Sequence, residues 1–104
     1  MPLETTPFDA AQHLNTPESQ IELINDALVS GDANYLKVAL GTVARARGMT
    51  NVSQQAGVTR ASLYKALSEE GDPRLSTLLG VLSALNVQMT ARSTDPILEN
   101  SDPG

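Results

Sequence analysis

The tetrapeptide Ala56-Gly57-Val58-Thr59 constrains the fold of this chain more than any other stretch, because each position has its own structural reason. Glycine can take the left-handed backbone conformation of a tight turn, and threonine can cap the helix that follows. Alanine allows two helices to approach closely, and valine can fill the core beneath the turn. We therefore predict a helix-turn-helix centred on this tetrapeptide.

Two amphipathic helices are predicted near the start of the chain. The first begins at Thr16-Pro17, a capping residue followed by a proline suited to the first helical position, and ends at Gly31. The second is capped by Asp32 and ends at Gly48. Helical spacing predicts their inward-facing residues: Ile21, Ile24 and Leu28 in the first helix, and Leu36, Ala39, Leu40 and Val43 in the second.

Three further helices complete the prediction. A short one covers about residues 51–56 if Thr50 caps it, and the next covers about residues 59–69. The last opens at Asp72-Pro73, a capping residue with proline after it. The predicted inward-facing leucines are Leu63 and Leu67 in the fourth helix, and Leu75, Leu78, Leu79, Leu82 and Leu85 in the fifth. The expected fold class is all-α, with about five helices around one core.

The ends of the chain are predicted to differ from this helical middle. Residues 1–15 are expected to form an irregular arm, residues 16–93 the helix-turn-helix domain, and residues 94–104 a disordered acidic tail. Within the domain, apolar and polar residues alternate over 87–92, which predicts a short C-terminal strand. One strand cannot satisfy its own backbone groups, so we expect a homodimer with this strand at its interface.

Charge is distributed in three blocks. Residues 1–32 carry six acidic and no basic residues, residues 33–68 carry five basic and no acidic residues, and residues 69–104 carry six acidic and two basic residues. The net charge of −5 argues against a nucleic-acid partner, but the basic middle block contains the predicted helix-turn-helix and can attract DNA in one orientation. The alternative is a chance cluster on a solvated face.

Recognition helices read bases with their N-terminal part, which gives a set of candidate DNA contacts. The predicted DNA-binding residues are Thr59, Arg60, Ala61, Ser62, Tyr64 and Lys65, with Arg45 and Arg47 meeting the DNA backbone from the flank. Arg60 and Lys65 can donate to guanine acceptors, and Ala61 can touch a thymine methyl group. The hydroxyl groups of the set can bond phosphate oxygens. The alternative is a packing turn that binds no ligand.

Catalysis has little support in the sequence. There is one histidine, His13, no cysteine, and no glycine-rich phosphate loop or metal-ligand cluster. The absence of cysteine also excludes disulfides, and no apolar run reaches the roughly 20 residues of a membrane span. We expect a soluble cytoplasmic protein that is not an enzyme and uses no cofactor or metal.

Four separate segments resemble the addiction-module antidote proteins, which are antitoxins with a phage-repressor-like, Xre/Cro-type helix-turn-helix. The segments are Glu4-Thr5-Thr6-Pro7-Phe8-Asp9, Val43-Ala44-Arg45-Ala46-Arg47-Gly48-Met49, Ala56-Gly57-Val58-Thr59-Arg60 and Leu63-Tyr64-Lys65-Ala66-Leu67-Ser68, and the resemblance runs from about Glu4 to Ser93. It implies a bacterial antitoxin, usually dimeric, that binds a RelE/ParE-type toxin and represses its own operon, and so lies on the nucleoid when bound to its operator.

Relative to phage repressors, the segment from Met49 to Gly57 is about two residues short, so phosphate contacts from Thr50 and Asn51 are left in doubt. No residue-level motif for toxin binding comes with the resemblance. The acidic N-terminal region, residues 1–30, is a candidate, because toxins that act on RNA are usually basic and an acidic partner can attract them. Its candidate toxin-binding residues are Glu18, Ile21, Glu22 and Asp26. A capping helix with a solvated face is the alternative there. For the whole protein, the alternatives are a phage-type regulator without a toxin and a protein-interaction antidote with little DNA affinity.

Overall fold

The computed structural model describes residues 16–95, and five helices are the only regular elements in that part of the chain. They are α1 (Pro17–Ser30), α2 (Ala33–Arg47), α3 (Met49–Ala56), α4 (Arg60–Ala66) and α5 (Leu75–Ala84). The all-α prediction with about five helices is confirmed. The predicted arm over residues 1–15, which includes His13, and the tail from residue 96 onward lie outside the described residues. Within residues 16–95, none of the helices is both long and apolar enough to cross a membrane.

Helices α1 and α2 form an antiparallel pair whose caps agree with the sequence prediction. Thr16 Oγ1 accepts the backbone N–H of Ser19 at 3.1 Å, and Gly31 ends α1 in the left-handed conformation with φ of 72°. Asp32 Oδ1 accepts the backbone N–H of Asn34 at 2.9 Å and so caps α2. The chain therefore reverses within two residues, and α1 lies along α2.

One apolar core joins all five helices. Its buried members are Ile24, Leu40, Val43, Ala44, Met49, Val52, Leu63, Leu67, Val81, Leu82 and Leu85. The most extensive packing between helices is that of α5 on α3. A Cβ atom added to Gly80 would lie 3.1 Å from the carbonyl oxygen of Ala56, so a glycine and an alanine allow these helices to cross closely. This confirms the predicted close approach at Ala56.

The inward face predicted for α1 is partly wrong. Ile24 is buried as predicted, but Ile21 is 43% exposed and Leu28 is 36% exposed. Gln20 and Ala27 occupy the inward positions instead. The helix packs chiefly against α2, so it buries a narrow stripe that is rotated away from Ile21 and Leu28.

The inward face predicted for α5 is also partly wrong. Leu75 is 67% exposed and Leu79 is 47% exposed, whereas Leu82 and Leu85 are buried as predicted. Val81 takes a fully buried position that the prediction left out. Five leucines at mixed spacing fit more than one helical face, and packing against α3 selects the face of Val81, Leu82 and Leu85.

Helix α5 begins at Leu75 and not at Asp72-Pro73 as predicted. The preceding linker is held by Lys37 of α2, whose Nζ donates to the carbonyl oxygens of Glu69 at 2.9 Å and Gly71 at 2.6 Å. Gly71 also lies so close to the end of α4 that an added Cβ would overlap carbonyl oxygens of its last turn. These contacts fix the chain in a non-helical path, and the helix starts after it.

Three other details differ from the prediction. Helix α3 begins at Met49 directly after Gly48, with no side-chain cap, so Thr50 is not its capping residue. Helix α4 ends at Ala66, about three residues earlier than predicted. The segment over residues 87–92 lacks the ladder of a strand, and no strand occurs anywhere between residues 16 and 95, because a single chain offers this segment no pairing partner.

Candidate nucleic-acid interface

The turn between α3 and α4 has the geometry that its sequence predicts. Gly57 adopts the left-handed conformation with φ of 79°, and its N–H donates to the carbonyl of Gln54 at 3.2 Å. The N–H of Val58 donates to the carbonyl of Ser53 at 3.0 Å, and its side chain packs against the core. These bonds satisfy the last carbonyls of α3, so the turn is defined by the backbone. The arrangement of α3, the turn and α4 is therefore compatible with a helix-turn-helix.

Thr59 caps α4 and is hydrogen-bonded in doing so. Its Oγ1 accepts the backbone N–H of Ser62 at 3.0 Å and donates to the hydroxyl of Ser62 at 2.9 Å. The single hydroxyl proton of Thr59 is thus used inside the turn, whereas the proton of Ser62 is free to face a ligand. Of these two predicted phosphate contacts, Ser62 is the better placed donor.

The outer face of α4 presents the predicted recognition residues to solvent. The exposed residues are Arg60, Ala61, Ser62, Tyr64 and Lys65. Leu63 is fully buried and Leu67 is 7% exposed, so the two leucines anchor the helix from behind as predicted. The guanidinium carbon of Arg60 lies 5.6 Å from the centroid of the Tyr64 ring. This face combines two cations, a small apolar side chain and an aromatic ring, which is a set of groups suited to base edges and phosphates.

Helix α3 adds exposed polar groups: Thr50 and Asn51, which the sequence left in doubt as phosphate contacts, and Gln54 and Gln55, which it did not single out. Thr50, Asn51, Gln54 and Gln55 are exposed and follow one another around one side of the helix. Gln55 Nε2 donates to Asn51 Oδ1 at 3.2 Å. None of the four is charged, so they present hydrogen-bonding groups without repelling a polyanion. The glutamines lie four residues after Thr50 and Asn51 on a short helix next to the turn, and this spacing is the sequence signal that would have found them.

The two flanking arginines of α2 are placed differently. Arg45 is exposed and runs back along its own helix, with Nη2 3.5 Å from Thr42 Oγ1. Arg47 is half-buried, and its Nε donates to Gln20 Oε1 of α1 at 2.7 Å. Arg45 is therefore available to an approaching backbone phosphate, whereas Arg47 joins α1 to the end of α2. Neither is brought into contact with the outer face of α4.

Not all of the basic middle block faces solvent. Lys37 holds the linker before α5 and Arg47 holds α1, so both cations stabilise the fold. Arg45, Arg60 and Lys65 remain exposed. The positive charge that a polyanion can reach is therefore concentrated on α4 and one side of α2, and the sequence count of five overstates it.

The candidate toxin-binding residues lie on the outer side of α1. Glu18 and Glu22 are exposed, and Ile21 is 43% exposed beside them. Asp26 is engaged, because the hydroxyl of Tyr35 donates to its Oδ2 at 2.5 Å. That hydrogen bond raises the pKa of the Tyr35 phenol, with slight desolvation and the negative charge of Asp26 acting in the same direction. Val29, which is 78% exposed, extends the apolar part of this surface.

Comparison with known proteins gives two matches over most of the chain. A family model described as "Probable addiction module antidote protein" matches residues 4–93. An uncharacterised protein of Haemophilus influenzae is 41% identical over 88 residues, which cover 84% of this chain and 90% of the relative. Among solved structures, none matches this chain.

Proposed function

Because this chain belongs to the addiction module antidote family, which gives it an antitoxin role, we propose that it represses its own operon by binding operator DNA through α4 and neutralises a RelE/ParE-type toxin by direct contact. The observation that carries the DNA-binding part is the exposed face of α4, where Arg60 and Lys65 flank Ala61 on a helix held by a capped turn. The basic block from residue 33 to 68 contains no acidic residue, so nothing in its own sequence opposes a polyanion there.

A homodimer is part of this proposal. An uncharged groove of about 530 Å³ lies between α5 and the segment after it, lined by Leu79, Leu82, Ser83, Asn86, Val87, Gln88 and Met89. Leu75 is exposed beside it on the same helix. Two copies that each carry a net charge of −5 repel least where neither is charged, so this face is the favoured contact between them. A two-fold dimer would bind a palindromic operator with half-sites roughly 34 Å apart.

Toxin binding is assigned to the outer side of α1. Glu18 and Glu22 can attract a basic protein, and Ile21 and Val29 offer apolar area on the same side of the helix. Asp26 contributes charge but its carboxylate is shared with Tyr35. Helix α1 packs chiefly on α2. The proposed toxin surface and the outer face of α4 lie on different helices. We place the protein in the bacterial cytoplasm, on the nucleoid when bound to its operator, and assign it no enzymatic activity.

The proposal is tested by measuring binding of the purified protein to a duplex from upstream of its own gene, at two salt concentrations, with a scrambled duplex as competitor. Arg60→Ala should weaken specific binding roughly 10- to 100-fold. Lys65→Ala should weaken binding to both duplexes similarly and lower the salt slope by about 1. The double variant Glu18→Gln/Glu22→Gln is the control for DNA binding. It removes charge from α1, outside the basic block, and should not weaken binding to the duplex.

The same variants test the toxin surface with the product of the neighbouring gene. Glu18→Gln/Glu22→Gln should weaken capture of that protein and make it less sensitive to salt, whereas Arg60→Ala should leave capture intact. Equal, weak binding of the wild-type protein to both duplexes would reject autorepression by the protein alone and favour the protein-interaction antidote. Loss of toxin binding in Arg60→Ala would reject the separation of the two surfaces.

A further inference from the structure

The only cation–π contact in the part of the chain that the structure describes lies on α4. Arg60 and Tyr64 are four residues apart, so they occupy the same side of the helix. The guanidinium carbon of Arg60 lies 5.6 Å from the centre of the Tyr64 ring, within the range of a cation–π contact. Both side chains are exposed, and Tyr64 retains 40% of its accessible surface.

Within the described residues, the guanidinium of Arg60 has an aromatic partner and not an acidic one. Among residues 16–95, no carboxylate pairs with its guanidinium, and the ring of Tyr64 is the group that it contacts. A carboxylate would occupy the N–H donors of the guanidinium edge, whereas a ring occupies only its face. The cation–π contact therefore restricts the arginine side chain without using its N–H donors.

This arrangement suits one kind of ligand. A planar guanidinium whose edge is free can donate two parallel hydrogen bonds to O6 and N7 of a guanine in the major groove, whereas a lysine reaches these acceptors without a rigid planar fork. An unrestrained arginine loses much of its rotamer freedom when it makes those bonds, so prior restriction by a ring lowers that entropic cost. Lys65 lies further along α4 and has no ring beside it, which fits a contact to phosphate.

We propose that Tyr64 is a positioning residue that holds the guanidinium of Arg60 for readout of a guanine, so that the two side chains act as one specificity element. The inference rests on the proposed DNA-binding function and adds to it the base that is read and a role for the tyrosine ring. The hydroxyl of Tyr64 is not required in this arrangement. That distinguishes it from a phosphate contact through the same hydroxyl, which was the role predicted from sequence.

The experiment uses the full chain and a duplex from upstream of its gene. Each guanine of the operator in that duplex is replaced in turn by 7-deazaguanine. This base lacks the N7 acceptor and leaves the other edge groups and the phosphates unchanged. For the wild-type protein we expect one guanine in each half-site at which the replacement weakens binding roughly 10-fold. Arg60→Ala should remove that sensitivity.

Two tyrosine variants separate the ring from the hydroxyl. Tyr64→Phe should keep both the affinity and the sensitivity to 7-deazaguanine. Tyr64→Leu should lower affinity for the natural duplex by about 3- to 5-fold, the size of an exposed cation–π contact, and should reduce the penalty of the modified base. In the double variant Tyr64→Leu/Arg60→Ala, the loss should be smaller than the product of the two single losses. Far-UV circular dichroism and melting curves check that each variant is folded.

Several outcomes would overturn the inference. Unchanged sensitivity to 7-deazaguanine in Tyr64→Leu would show that the ring does not position Arg60. Equal losses in Tyr64→Phe and Tyr64→Leu would assign the tyrosine to a hydroxyl contact, and a lack of sensitivity at every guanine would assign Arg60 to phosphate. Each of these outcomes leaves operator binding by the wild-type protein in place. Absence of any specific binding by the wild-type protein would instead reject the proposed function, and this inference with it.

Discussion

Helices α4 and α1 are both amphipathic, but they differ in what they leave in water. In α4 the leucine is fully buried, and the outer side carries cations, hydroxyls and one aromatic ring. In α1 the outer side carries acidic residues together with Ile21, Leu28 and Val29, which are 43%, 36% and 78% exposed. The leucine of α4 is accounted for by the core, whereas α1 has more apolar residues than residues 16–95 bury. The exposed apolar residues of α1 indicate a contact surface, because contact with water does not favour apolar side chains.

The largest expected effect compares a leucine from each helix. Leu63→Ala should lower the free energy of unfolding by about 2–5 kcal/mol, because it removes a fully buried side chain and leaves a cavity. Leu28→Ala, with 36% of its side chain already exposed, should cost less than about 1.5 kcal/mol. Urea denaturation of both variants at low protein concentration measures the difference. Equal destabilisation would mean that Leu28 belongs to the core and not to the exposed apolar surface of α1.

The same contrast explains which parts of the fold the sequence could predict. Around Gly57, the glycine, the capping threonine and the inward leucines all indicate the same geometry, and the structure confirms each of them. Local chemistry decides such positions, because a left-handed backbone and a cap depend on residues within one turn. The exposed side of α4 could be predicted for the same reason.

Packing decided the positions that the sequence could not predict. Leu75 and Leu79 fit an apolar stripe as well as Leu82 does, and only the close crossing of α5 with α3 at Gly80 selects between faces. The late start of α5 depends on Lys37, which lies more than thirty residues earlier in the chain. In the candidate site, Arg47 looked like a flanking DNA contact because its partner, Gln20, is on another helix. Contacts between distant residues carry no local signal.

A second, smaller effect concerns the two capping threonines. Thr16→Ala and Thr59→Ala each remove a side chain that accepts a backbone N–H, so each should cost about 1 kcal/mol of stability. Their effects on operator binding should differ. Helix α4 has only seven residues and carries all of the predicted base contacts, whereas α1 has fourteen residues and carries none of them. Thr59→Ala should therefore weaken operator binding, and Thr16→Ala should not. Operator titrations beside thermal melts make this comparison, and similar losses of DNA affinity would show that α1 supports the DNA-binding face.

The smallest effect concerns the link between Tyr35 and Asp26, which decides how much of the acidic side of α1 is free for a partner. The hydrogen bond from the Tyr35 hydroxyl to Asp26 raises the pKa of the phenol above its ordinary value of about 10. Because the folded state favours the neutral phenol, the contribution of this bond to stability is fully present below about pH 10 and is lost as the pH rises through the raised pKa. Unfolding curves at about pH 8 and about pH 11 should therefore show a larger loss of stability for the wild-type protein than for Tyr35→Phe. The difference in phenol absorbance between the wild-type protein and the variant isolates the titration of Tyr35, whose pKa should lie above its ordinary value. If both proteins lose stability equally, Tyr35 does not hold Asp26, and the aspartate joins Glu18 and Glu22 as a free part of the proposed toxin surface.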